Sequence, residues 1–215
     1  MTSDASGAFK AAMQGDVVVI VDVIDMSTSL EAAIEAGAFK VFGSCSDKVR
    51  PPVPVDPERI GFDAGSLAAK NRTAVIIIAE PRSGSYKDRE NTCLSLLKGL
   101  EKADMKVLDI IPNIGMETAN QADFKDKVVI AVTSSGGAAF DAAYNAGAEV
   151  FTATVARTLG KKGVETVRVG IQRVQEFALS FQKDISVVAA SGNSLEDLLA
   201  AQYITNHMIC FRAQK

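Results

Sequence analysis

Short apolar runs alternate with stretches whose apolar residues recur at helical spacing. Val17–Val23 is short, β-branched and bounded by Gly15-Asp16, which predicts a strand. Leu30, Ala33, Ile34 and Gly37 then fall on one helical face, and Gly37 can end that helix. Phe39–Phe42 predicts a short second strand. The stretch RPPVPVDPERIG holds four of the six prolines and predicts an ordered loop, neither helix nor central strand. Ala74–Ala79 (AVIIIA) is the clearest buried strand, followed by a Pro-Arg-Ser-Gly-Ser turn and a helix carrying Cys93, Leu96, Leu97 and Leu100 on one stripe. Met105–Ile111 predicts a strand stopped by Pro112, and Lys127–Thr133 another. Phe140, Ala143, Tyr144 and Gly147 mark the next helix, and Ala148–Ala153 a further strand. A long amphipathic helix runs through Val164, Val167, Ile171, Val174, Ala178 and Phe181, then Ile185–Ala190 forms the last strand and Ser194 opens the last helix.

Alternation of strand and helix over nearly the whole chain implies an α/β fold, three-layer αβα, with a mostly parallel sheet covered by helices on both faces. The chain has 215 residues, enough for one substantial core, so a single domain over 1–215 is expected. A net charge of −3 without a Lys/Arg run argues against a nucleic-acid-binding face. The opening MTSDASGAFKAAMQGD has no basic start and apolar core, so no secretory leader is expected. Asp22 breaks the longest apolar run, which is too short to span a membrane, and the cytoplasm is the expected location. Cys45, Cys93 and Cys210 are far apart and form no CxxC pair. That spacing argues against zinc and a disulfide framework, and a buried, inert thiol is expected at each. His207 is the only histidine, expected on a helix surface or at a partner contact.

In parallel sheets, ligands bind beyond the carboxyl ends of the strands. Four such ends are alike: Asp22–Ser29, Glu80–Ser85, Thr133–Gly137 and Ser191–Asp197 are small, polar and followed by helix patterns. Helix starts leave N–H groups unpaired, and glycine lets an anion approach them. The same residues are the ordinary N-caps, and Ser194 with Asp197 fits a capping box. There is neither a Walker lysine after Gly136-Gly137 nor a GxGxxG, so a nucleotide fingerprint is absent. Asp22 sits in a run that asks for burial, where a lone carboxylate costs several kcal/mol, so backbone donors, a cation or a metal must offset it. Whether it ties down the following loop or acts chemically is open at this point. Glu196 and Asp197 also suit a helix dipole, and Arg82 and Arg157, each after a strand, suit either phosphate oxygens or open solvent.

VDVIDMSTSLEAAIEAGA resembles the opening of the 2-phosphosulfolactate phosphatase family, GFDAGSLAAK its Gly-Phe-Asp segment, VVIAVTSSGGAAFDAAYNAGA its Thr-Thr-Asn-Gly-Thr strand end, and SVVAASGNSLEDLLAAQYI its closing strand and Glu-Asp helix. The four segments keep the family's order from about residue 17 to about 205. The resemblance implies a Mg²⁺-dependent phosphoric monoester hydrolase acting on a small anionic substrate, 2-phosphosulfolactate in coenzyme M synthesis. It singles out Asp22, Ser27, Thr28, Asp63, Thr133, Ser134, Gly136, Glu196 and Asp197. The site expected on all these grounds has Asp22, Asp25 and Arg157 as catalytic groups. Ser27, Thr28, Arg82, Thr133, Ser134, Ser135, Gly136 and Gly137 would hold substrate, and Asp22, Asp63, Glu196 and Asp197 the Mg²⁺. Asp25 stands where the family has arginine, Ser135 replaces its asparagine, and a helix and strand near 80–122 are added. Two alternatives remain at this stage: an inactive relative that binds a small anionic metabolite, and a structural or regulatory homo-oligomer built on the 164–181 helix.

Overall fold

The computed structural model describes residues 1–24 and 26–212. In chain order its elements are β1 (Thr2–Ser3), α1 (Asp4–Met13), β2 (Val17–Val21), α2 (Met26–Glu35), β3 (Lys40–Cys45), α3 (Pro57–Lys70), β4 (Val75–Ala79), α4 (Tyr86–Glu90), α5 (Leu94–Lys102) and β5 (Val107–Pro112). A 3-10 turn over Gly115–Asn120 leads into β6 (Val128–Thr133), α6 (Gly136–Asn145), β7 (Val150–Thr152), α7 (Val164–Ser180), β8 (Ile185–Ala189) and α8 (Leu195–Arg212).

The fold is α/β, and every strand pairing is parallel, but the strands form two four-stranded sheets where one was expected. Their orders are β1-β8-β2-β7 and β3-β6-β4-β5. The reason lies at the edge strands β7 and β3. β7 is only three residues long, and the Lys40–Glu149 ion pair (2.9 Å) links the beginnings of the two strands. A cavity of about 170 Å³ lined by Phe39, Val41, Phe151 and Arg173 lies between them. Side chains and this cavity separate β3 from β7, and among the described residues no ladder pairs them.

Successive strand residues face opposite ways, so β2 serves two cores. Val17, Val19 and Val21 join Val187 and Ala189 against Val167, Ile171 and Val174 of α7 and Ala201 and Ile204 of α8. Val18, Ile20 and Val188 face the larger cluster, which includes Ala8 and Ala11 of α1 and Phe140 of α6. α6 packs on β2 and β7 of the first sheet and on β3 and β6 of the second, tying the two together. Ile76, Ile77 and Ile78 of β4 are fully buried, which is the burial their unbroken apolar run predicts.

Two local expectations are corrected. The proline-rich stretch was expected to hold no helix, yet α3 begins at Pro57. Proline has no N–H to lose at the first helical position, and Asp56 caps that turn by accepting the Arg59 N–H at 2.9 Å. Cys45 and Cys93 are buried, and burial pushes each thiol up to about 12, but Cys210 is exposed on α8. α1, absent from the hydrophobic pattern, is built on alanines: Ala5, Ala8, Ala11 and Ala12 are its buried residues. Among the described residues no helix is long and apolar enough to cross a membrane.

Candidate functional site

The carboxyl ends of several strands meet around the segment between β2 and α2. Asp22, the residue after β2, is buried, and its Oδ2 accepts the Gly136 N–H at 3.0 Å and the Ser135 hydroxyl at 3.2 Å. Its own N–H donates to Ser27 Oγ (3.0 Å), which in turn donates to the Ile20 carbonyl (2.9 Å). Val23 donates its N–H to Asp197 Oδ1 at 2.9 Å, drawing in the start of α8. Thr28 Oγ1 donates to the Val23 carbonyl and lies 2.9 Å from Thr154 Oγ1, just beyond β7. Ser29 Oγ donates to Asn113 Oδ1, beyond β5, and Arg82 Nη2 donates to the Ile24 carbonyl at 2.8 Å from beyond β4. The residues just beyond β4 and β6 and the start of α8 thus contact this segment, while those beyond β5 and β7 reach the first turn of α2.

Of the residues named from sequence, Asp22, Ser27, Thr28, Ser135, Gly136 and Asp197 are joined directly in this network. Thr133 supports it, its hydroxyl accepting the Gly137 N–H at 2.8 Å. Ser134 is exposed beside it. The glycines serve close packing: a Cβ at Gly136 would lie 2.3 Å from Asp22 Oδ2, and one at Gly137 would lie 2.1 Å from the Ser44 carbonyl oxygen. The two N–H groups expected to meet a phosphate therefore bind protein oxygens. Arg82 reaches the β2–α2 segment from the 80–122 region. Arg157 is largely exposed and 3.6 Å from Glu117 Oε1. Asp25 lies outside the described residues.

The carboxylates named for Mg²⁺ do not form one cage. Asp63 Oδ2 accepts from the Tyr144 hydroxyl at 3.0 Å, near the far end of α6. Eight residues separate Tyr144 from Gly136, about 12 Å along a helix axis. Burial and the neighbouring Asp63 carboxylate push the Tyr144 hydroxyl up to about 12. Glu196 is exposed and lines a groove of mostly apolar side chains. Among the described residues, no three His, Cys, Asp or Glu are grouped to hold a metal ion. Asp22 and Asp197, bridged by Val23, are the acidic pair that the fold brings together. Because Mg²⁺ needs only one or two carboxylates, the rest of its shell being ligand and water oxygens, these two are the ones that could serve such an ion.

Three polar residues at this edge were missed: Asn113, Thr118 and Thr154. Thr118 Oγ1 accepts the Ile114 N–H at 2.9 Å, and Asn113 and Thr154 are buried. The rule that picks residues just after strands would have found Asn113 and Thr154, had it been applied to β5 and β7 as well as to the four glycine- and serine-rich ends. No protein-family model matches the chain, and no curated protein sequence is significantly similar to it.

Proposed function

We propose that this chain is a phosphatase-like protein that takes a small phosphorylated acid, such as 2-phosphosulfolactate, at the β2–α2 segment. The reading is carried by the convergence of strand ends on that segment and on the first turn of α2, and the sequence resemblance adds to it. Arg82, Arg157 and Ser134 are the exposed groups suited to phosphoryl oxygens, since a guanidinium offers a planar fork of donors. Asp22, fixed by Gly136 and Ser135, is the group that would receive the proton of an attacking water. The water oxygen bonds to phosphorus, the ester P–O bond breaks, and the proton taken up by Asp22 passes, directly or through solvent, to the leaving alkoxide, giving alcohol and inorganic phosphate. Mg²⁺ would enter with the substrate and offset charge on its phosphoryl oxygens.

A second reading, a relative that binds a small anionic metabolite without hydrolysing it, draws support from the same contacts. Asp22 and Asp197 both accept backbone N–H groups, as structural carboxylates do, and Asp25 replaces the family's arginine. One experiment separates the two. Phosphate release from a panel of phosphorylated acids is measured with Mg²⁺ for wild type and Asp22→Asn, alongside calorimetric binding. Release that falls at least a hundredfold in Asp22→Asn supports hydrolysis. Binding without release supports the second reading, and neither binding nor release overturns both.

A further inference from the structure

Beside the candidate site, between the amino-terminal parts of α7 and α8, lies a groove of about 390 Å³. Val164 of α7 and Leu199 and Tyr203 of α8 form its exposed walls, at 53%, 61% and 39% exposure, while Val23 and Val155 also line it. The volume is in the range of small-molecule sites, and exposed apolar side chains gathered in a concavity mark binding surfaces. Two lining residues are continuous with the site. Val23 donates its N–H to Asp197, and Val155 follows Thr154, which contacts Thr28. The charged residue lining the groove is Glu196. A carboxylate there disfavours a second anionic group such as a sulfonate, because like charges in a partly desolvated groove repel.

We infer that the groove takes an apolar carbon chain of the ligand whose phosphate sits at the β2–α2 segment. The ligand class is then a phosphate monoester with an alkyl or aromatic body, any further acid group lying outside the groove and away from Glu196. This rests on the proposed function only in placing the phosphate; it does not require hydrolysis.

Ethyl, butyl and hexyl phosphate are titrated calorimetrically into the full chain, into Leu199→Glu and into Val164→Glu. Both substitutions lie on exposed positions of different helices, so loss of folding in one leaves the other to report. Affinity for wild type is expected to rise about fourfold per added methylene. Each variant should lose that slope and keep its affinity for ethyl phosphate. Equal affinity along the series overturns the inference, as does hexanol binding as tightly as hexyl phosphate. A wild-type dimer that becomes monomeric in Leu199→Glu, without any chain-length dependence, assigns the groove to a second copy and also overturns it. A slope without phosphate release removes the hydrolytic reading alone, whereas release from ethyl phosphate without a slope removes the groove assignment alone.

Discussion

Asp22 and Gly136 meet through a 3.0 Å hydrogen bond that joins the end of a strand in the first sheet to the first residue of the helix that follows β6 of the second. The carboxylate occupies the amino end of α6, where unpaired N–H groups and the helix dipole stabilise a negative charge. The bond explains how aspartate is tolerated in a β2 environment that is otherwise apolar. It also explains why α6 opens with glycine, since any side chain there would occupy the space of the carboxylate.

Gly136→Ala should therefore destabilise the protein by about 1–3 kcal/mol through overpacking, although alanine is worth about 1 kcal/mol more than glycine in a helix interior. Asp22→Ala should cost a similar amount, because it leaves the buried Gly136 N–H without its acceptor. Asp22→Asn keeps an acceptor oxygen and should cost less than Asp22→Ala. Urea unfolding of the three variants checks the order; a Gly136→Ala protein as stable as wild type would exclude the close contact.

Much of the strand–helix order was legible because buried parallel strands are written as unbroken β-branched runs, as Val17–Val21, Val75–Ala79 and Val128–Thr133 are. α1 was not, because alanines pack against α6 without making a strong apolar stripe. The start of α3 was hidden by prolines whose effect depends on position within the first turn. Division into two sheets is a property of strand edges, and nothing in the residues of β7 alone marks it as an edge. At the site, the strand-end rule located Asp22, Thr133–Gly137 and Asp197, which are long-range partners. Asp63 was named by the resemblance and not by that rule; a carboxylate on a helix is positioned by its own helix face, here toward Tyr144.

Thiol chemistry should separate the three cysteines. The thiolate is the reactive form, and burial pushes Cys45 and Cys93 up to about 12, while Cys210 is exposed. Native protein should react rapidly with Ellman's reagent at one thiol, and Cys210→Ser should abolish that fast phase. Denatured protein should titrate all three. Rapid native reaction in Cys210→Ser would contradict the burial of the other two.

Asp141 should give the protein an acid-favoured component of stability. Burial pushes its carboxyl up to about 6, against the lowering effect of the Cys45 and Asp56 N–H groups and the Asn145 amide that it accepts. Between an unfolded value near 3.8 and about 6, the folded state binds more protons than the unfolded one. The contribution is thus complete below the lower value and is lost as pH rises through the upper one, by about 3 kcal/mol in all. Asp141→Asn should remove this slope, so its stability relative to wild type should improve between pH 4 and pH 7. Urea midpoints across that range decide it; parallel curves would place the proton elsewhere.

The close crossing of α3 and α5 should be the position least tolerant of a single methyl group. A Cβ at Gly61 would lie 2.2 Å from the Leu96 carbonyl oxygen, and one at Gly99 would lie 1.9 Å from that of Glu58. Both obstacles are helix backbone, which cannot swing aside as a side-chain tip can, so the helices must separate. Separation would strip contacts from Ile60, Leu96 and Leu100, which are buried at or near this crossing. Gly61→Ala and Gly99→Ala should each cost about 1–3 kcal/mol even after the gain in helix propensity. If one substitution already forces the helices apart, the second meets a widened gap, so the double variant should cost less than the sum of the singles. Strict additivity in urea unfolding would show that the two glycines are accommodated independently, and would exclude a shared displacement of α3 from α5.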